Sequence, residues 1–266
     1  MKKRVLIMTL FIPLILWAGC SKKSTSPKGS GTLRLYLADS VGPIEQVNLT
    51  ISQVSVHTSA EGDSTGWIVV NDSLATYDLI QLANGASALL GETGLAPGHY
   101  TQIRLLLVDS CRVVIGGESY PLHIPSGLQS GVKLNHQFEI DAGKLYELLL
   151  DFDAQRSIVS TDNGYLLKPV IRVVPLVTSG TISGTVHPLE AIPYILATSG
   201  ADTIQTVFAD PTDGSFSLIG LSEGYYDVHI EPSTDEYADT TLMQVKVAGG
   251  EDTDLGIITL RYTPAR

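Results

Sequence analysis

Asp151 and Asp153 stand two residues apart in the run Leu149-Leu150-Asp151-Phe152-Asp153, so on a strand both carboxylates leave from one face, with Arg156 just beyond. Paired carboxylates serve acid–base catalysis or calcium binding. Calcium takes about six to eight oxygens, of which this pair brings only a fraction. The same spacing suits a turn cap with an ion pair, the reading adopted here. The histidines His57, His99, His123, His136, His187 and His229 are dispersed, and none forms a His-x-x-x-His pair, so no metal and no cofactor is expected. Gly127-Leu128-Gln129-Ser130-Gly131 puts its serine at the wrong step for a nucleophile elbow, and no glycine-rich phosphate loop ends in Lys-Ser or Lys-Thr. A fourth set has a binding rather than a catalytic character. Tyr225, Asp227, His229 and Glu231 alternate with apolar Tyr226, Val228 and Ile230, placing a ring and three hydrogen-bonding groups on one strand face. Such a row could stack on a sugar, with Tyr194 and Tyr237 as further aromatic candidates, but it also describes an ordinary solvated face. The solvated face is the expectation.

The elements that must position these residues are strands. No stretch sustains a helical period over three turns, which leaves sheet on sheet as the way to build a core. The 266-residue chain is 44% apolar and carries a formal charge of −11. Loss of Lys2, Lys3 and Arg4 with a leader takes the remainder to about −14. So acidic a protein is a poor partner for nucleic acid, whose phosphates call for a basic surface. Cys20 and Cys111 are the only cysteines. Once Cys20 is modified no intrachain disulfide can form, and the folds must rest on their cores.

Lys2-Lys3-Arg4, the apolar run from Val5 to Trp17 and the small pair Ala18-Gly19 have the order of a secretion signal. Its end, Leu16-Trp17-Ala18-Gly19-Cys20, resembles the lipobox of bacterial lipoproteins, with Trp17 where that family usually has an aliphatic residue. The resemblance implies a signal peptide over 1–19, a lipid on Cys20, and, from Ser21, sorting to the outer membrane. Residues 20–30, which include Lys22, Lys23 and Lys28, read as a flexible tether.

The folded part opens with alternating Leu33, Leu35 and Leu37, followed by Val47, Leu49 and Ile51. The apolar phase then moves to Val54 and Val56, which predicts a bulge near Ser52-Gln53. Further strands are expected at Trp67–Val70, Thr76–Leu82 and Tyr100–Val108, with a helical turn at Ala86–Leu90. Arg112–Ile115 and Glu118–Ile124 form a hairpin around Gly116-Gly117, and Val132–Ile140, Leu145–Phe152 and Leu166–Val177 follow. Pro169 and Pro175 make the last an edge or bulged strand. The runs Gly31-Thr32-Leu33-Arg34-Leu35-Tyr36-Leu37-Ala38-Asp39, Val47-Asn48-Leu49-Thr50-Ile51, Tyr100-Thr101-Gln102-Ile103-Arg104, Leu149-Leu150-Asp151-Phe152-Asp153 and Lys168-Pro169-Val170-Ile171 together resemble a domain-of-unknown-function family of bacterial lipoproteins. That family brings no chemistry.

After Thr178-Ser179-Gly180, seven short strands are expected between Ile182 and Leu260. The run from Asp213-Gly214-Ser215-Phe216 through Leu221-Ser222-Glu223-Gly224-Tyr225-Tyr226-Asp227-Val228 resembles the carboxypeptidase regulatory-like domain, a transthyretin-like sandwich. The same run echoes Leu95-Ala96-Pro97-Gly98-His99-Tyr100, but the strands that follow differ in phase by one residue. Either a bulge follows Tyr100 or the likeness is convergent turn chemistry, the reading adopted here. The expectation is therefore an all-β protein of two tandem β-sandwich modules, 31–177 and 178–266. It is read as a non-catalytic envelope protein held to the membrane by its lipid, with an envelope protein or glycan as partner, a carbohydrate-binding role as the alternative and a hydrolase behind both.

Overall fold

The computed structural model describes residues 29–40, 44–59, 65–125 and 130–263. The expected leader, Cys20 and nearly all of the tether lie outside them. The first part contains β1 (Gly31–Ser40), β2 (Gln46–Thr58), β3 (Trp67–Asn71), β4 (Ala75–Asp78), β5 (Ala88–Leu95), β6 (Gly98–Leu107) and β7 (Arg112–Ile115). It continues with β8 (Glu118–His123), β9 (Val132–Ile140), β10 (Leu145–Asp153), β11 (Ile158–Thr161), β12 (Gly164–Leu167) and β13 (Ile171–Pro175). The second part holds β14 (Ser179–His187), β15 (Tyr194–Ser199), β16 (Asp202–Phe208), β17 (Ser215–Ser222), β18 (Gly224–Glu231), β19 (Thr240–Val247) and β20 (Asp252–Thr259).

Four sheets result, and the all-β sandwich expectation holds. A four-stranded sheet β13-β10-β1-β5 faces a nine-stranded sheet β11-β12-β8-β7-β2-β6-β9, to which β3 and β4 are added along the long β2. Between them lies a core that includes Leu33, Leu35, Leu49, Val56, Tyr100, Ile103, Leu150 and Phe152, all buried. The second part stacks β17-β14-β20 on β16-β15-β18-β19 around Ile182, Phe216, Leu218, Val228 and Ile230.

β10 explains how the two parts meet. It runs parallel to β1, pairing from Thr32↔Leu145 to Ser40↔Asp153. Its Leu148, Leu150 and Phe152 face the first core, while Leu149 joins Ala38 and Val174 in a small cluster that takes Ile219 from β17. A strand buried on both faces loses polar alternation, which is why this one reads Leu-Leu-Leu before its aspartates.

Several local expectations need correction. Thr76–Leu82 is not one strand: β4 ends at Asp78, whose carboxylate accepts from the Ile80 amide at 3.3 Å and starts a 3-10 turn, Leu79–Leu82. Ala86–Leu90 holds no helical turn, because β5 begins at Ala88 and is drawn into pairing with β1. Leu166–Val177 is broken at Lys168-Pro169-Val170, so that β12 serves the nine-stranded sheet and β13 the edge of the other. Proline at the break cannot donate to a ladder, and the chain uses it to change sheets. The bulge at Ser52-Gln53 is present, as a register shift between Ile51 and Gln53 against β6.

Tyr100 also departs from the reading given above. Against β2 the pairs Thr58↔Tyr100 and His57↔Gln102 leave Thr101 as an extra residue in β6, so Tyr100 turns inward with Ile103, Leu105 and Leu107. The phase difference between the two echoing strands is thus a bulge.

Candidate functional site

The row on β18 shares one face, but three of its four members are engaged by neighbours. Asp227 accepts from the amide of Gln244 at 2.8 Å, where Gln244 has φ 59° and the ladder to β19 slips by one residue. A left-handed non-glycine residue is costly, and the carboxylate holds it in place. His229 lies between the hydroxyls of Thr198, 3.1 Å from Nε2, and Thr241, 3.0 Å from Nδ1. Glu231 hydrogen-bonds Tyr194 and raises its phenol above the usual tyrosine value. Only Tyr225, 58% exposed, projects freely. Tyr194 pairs in register with Glu231, six residues along β18 from Tyr225 and so about 20 Å away. Tyr237 packs edge-on against Tyr262. The three tyrosines make no shared platform.

The carboxylate pair is taken up in the same way. Asp153 caps the helical turn Ala154–Ser157 by accepting from the Arg156 amide at 2.8 Å, and the Arg156 guanidinium stands 3.8 Å from its other oxygen. Asp151 pairs with Arg172 on the neighbouring β13. The cap and ion pair expected from the spacing are both there, although the partner of Asp151 was not foreseeable from sequence. An open cleft of about 410 Å³ lies between the turn bearing Asp153 and Arg156 and the outer edge of β16 at Asp202–Thr206. Among the described residues no three His, Cys, Asp or Glu side chains converge as metal ligands. Cys111 is buried and free, and burial pushes its thiol up, away from the reactive thiolate. Ser130 is described, but Gly127, Leu128 and Gln129 before it are not.

A different surface, which the sequence did not single out, is assembled by register alone. On the outer face of the nine-stranded sheet, Trp67 pairs with His57, His57 with Gln102, and Gln102 with Asn135, across β3, β2, β6 and β9. Next to this row runs a second, in which Val69 pairs with Ser55, Ser55 with Arg104, and Arg104 with Lys133. Directly paired residues project on the same side, so eight side chains form a two-by-four grid. The residues between them, Ile68, Val56, Ile103 and Leu134, point into the core and fix the grid from beneath. The guanidinium of Arg104 lies 4.1 Å from the Trp67 ring centre and the ammonium of Lys133 5.8 Å, both in cation–π range. Arg104 also donates to the Ser55 hydroxyl at 3.2 Å, and Gln102 to Asn135 at 2.9 Å. His57 lies under the edge of Trp67, with ring centres 5.1 Å apart. The polar phase of Gln102 and Arg104 was visible in sequence; their company was not.

No curated protein matches the chain. Among solved structures, the TIE protein of Bacillus anthracis aligns over 88% of this chain at 10% identity and a TM-score of 0.24, and the chain spans only 34% of its length. A minor pilin of Streptococcus agalactiae aligns over 88% of this chain and 97% of its own at 11% identity, TM-score 0.25. A shaft pilin of Lactobacillus rhamnosus GG aligns over 89% and 99% at 10% identity, TM-score 0.26. At such scores the likeness says nothing about function. Residues 30–169, just over half of the chain, match the family described as Domain of unknown function (DUF4382), and the chain belongs to that family.

Proposed function

We propose that this is a non-catalytic, lipid-anchored protein of the bacterial cell envelope, sorted to the outer membrane, in which Cys20 carries the lipid and 20–30 is the tether. The modules 31–177 and 178–266, the second of carboxypeptidase regulatory-like type, act as a binding or scaffold unit. One observation carries the non-catalytic reading: the side chains with suitable chemistry are engaged in holding the fold. Asp153 caps a turn, Asp227 clamps a strained residue, His229 bridges two threonines and Asp151 is ion-paired. A general acid or base needs a free proton-transfer partner in reach of substrate, and these groups are turned to their neighbours.

The anchor is tested by expressing Cys20→Ser. The variant is expected to fold with an unchanged thermal transition and to move from the detergent phase to the aqueous phase on detergent partitioning. A serine variant that still enters the detergent phase overturns the reading.

A further inference from the structure

We propose that Trp67, Gln102, Asn135, Arg104 and Lys133 on the outer face of the nine-stranded sheet, laid over the buried His57 and Ser55, form a binding surface for an extended acidic saccharide. The proposal rests on the reading of this protein as a binding module and names the ligand class that reading leaves open.

Charge carries the argument first. The chain has 28 acidic residues against 17 basic ones, yet Arg104 and Lys133 sit side by side on paired strands. No ion pair joins either to a carboxylate among the described residues, and unlike Arg112, Lys168, Lys246 and Arg261, which also have none, these two share one aromatic ring. Directly opposed like charges destabilise a sheet, so this pair carries a local cost. Trp67 lowers that cost by lying beneath both cations.

Shape carries it further. Four strands side by side span about 14 Å from β3 to β9, enough for a few sugar rings laid across the sheet. Along that line the surface offers a half-buried indole, a ladder of amides at Gln102 and Asn135, and the two cations in the adjoining row. The amides suit sugar hydroxyls and the fixed cations a carboxylate or sulfate on each ring, while the indole, its face under both cations, holds them in place. Part of the opposite outer face of this sandwich is covered, since Leu149 and Val174 of the four-stranded sheet take Ile219 of the second part. On the grid side Val69 remains 44% exposed. A single-stranded nucleic acid calls for open aromatic faces on which its bases stack, and the indole here lies under two cations.

The test titrates the full chain, in nonionic detergent, with oligogalacturonate, its methyl ester, dextran sulfate and a single-stranded oligonucleotide, followed by calorimetry and indole fluorescence. Binding of oligogalacturonate or dextran sulfate, with the ester at least about tenfold weaker, is the expected result, and the better of the two identifies the anion. Lys133→Gln, at an exposed position that leaves the core untouched, and Arg104→Gln should each weaken binding about tenfold. Trp67→Phe should weaken it less than either, and Tyr225→Ala should leave it unchanged. Equal affinity for the ester, affinity unmoved by both cation variants, no binding of either acidic polymer, or preference for the oligonucleotide would each overturn the proposal. None of these outcomes touches the detergent partitioning of Cys20→Ser, so the two readings fail separately.

Discussion

Arg172 holds one oxygen of Asp151 with two donors, Nη2 at 2.7 Å and Nε at 3.1 Å, while its Nη1 donates to the carbonyl of Gly220 at 3.0 Å. The pair lies on the face of β10 and β13 that turns away from the first core, the side of Leu149, and the bond to Gly220 reaches into the second part. Around it Leu149 and Val174 approach Gly220 at 3.4 Å, the distance a side chain there would meet. Gly220 has φ +70°, a conformation that glycine adopts without strain.

Replacing Arg172 by methionine keeps the stem and removes the charge, leaving a carboxylate that is only 4% exposed. Breaking a buried pair from one side is expensive, and the partial exposure of Arg172 reduces the penalty, so a loss of about 2–3 kcal/mol is expected in urea unfolding. Faster protease cutting near Leu176–Thr178 should accompany it, as the contact to Gly220 is lost. A change below about 0.5 kcal/mol would class the pair with ordinary surface ion pairs.

The echo between the two turn-strand units has a structural meaning. Tyr100 donates its hydroxyl to the carbonyl of Ala96 at 3.0 Å, and Tyr226 to that of Ser222 at 2.9 Å, each four residues upstream. Both rings are buried, and each bond ties a turn to the strand that leaves it. Tyr100→Phe and Tyr226→Phe should each cost about 1 kcal/mol, measured as separate shifts in thermal unfolding. Burial holds both phenols above the usual tyrosine value. A raised folded pKa means stability that is whole below the unfolded value of about 10 and is lost as pH rises through the folded one. The two variants should therefore flatten the alkaline loss; an alkaline limb that survives in the double variant would assign it to other tyrosines.

What the sequence made legible follows from period. Alternation says which face of a strand looks inward, and a break in it exposed the bulge at Ser52-Gln53 because Val54 and Val56 could reach the core no other way. All seven strands of the second part were readable for the same reason. Period does not say which strand lies alongside. The parallel pairing of β1 with β10 joins residues more than a hundred positions apart, and the Asp151–Arg172 pair depends on the register of β10 with β13. Trp67 illustrates the limit most sharply, since it meets Arg104 and Lys133 only after three separate ladders have been set. Tyr100 misled because a one-residue phase difference fits a bulge and a convergent turn equally well, and only the register with β2 shows Thr101 as the extra residue.

His136 supplies the last prediction. It occupies the inward series of β9 between Leu134 and Phe138, its ring 6.2 Å from that of Phe138, and its Nε2 is buried with no hydrogen-bond partner among the described residues. Burial lowers its pKa from the usual imidazole value of 6.5. The folded state thus takes up a proton less readily than the unfolded chain. Its contribution to stability is present above about pH 6.5, where both states are neutral, and is lost as pH falls through the lowered folded value. His136→Leu removes both the orphaned nitrogen and the titration while keeping an apolar group on the inward face. The variant should gain stability relative to the parent as pH is taken from about 7 to about 5, read as the difference between their urea midpoints. A constant difference across that interval would mean that His136 stays neutral in both states or charges equally in both, and would sink the argument.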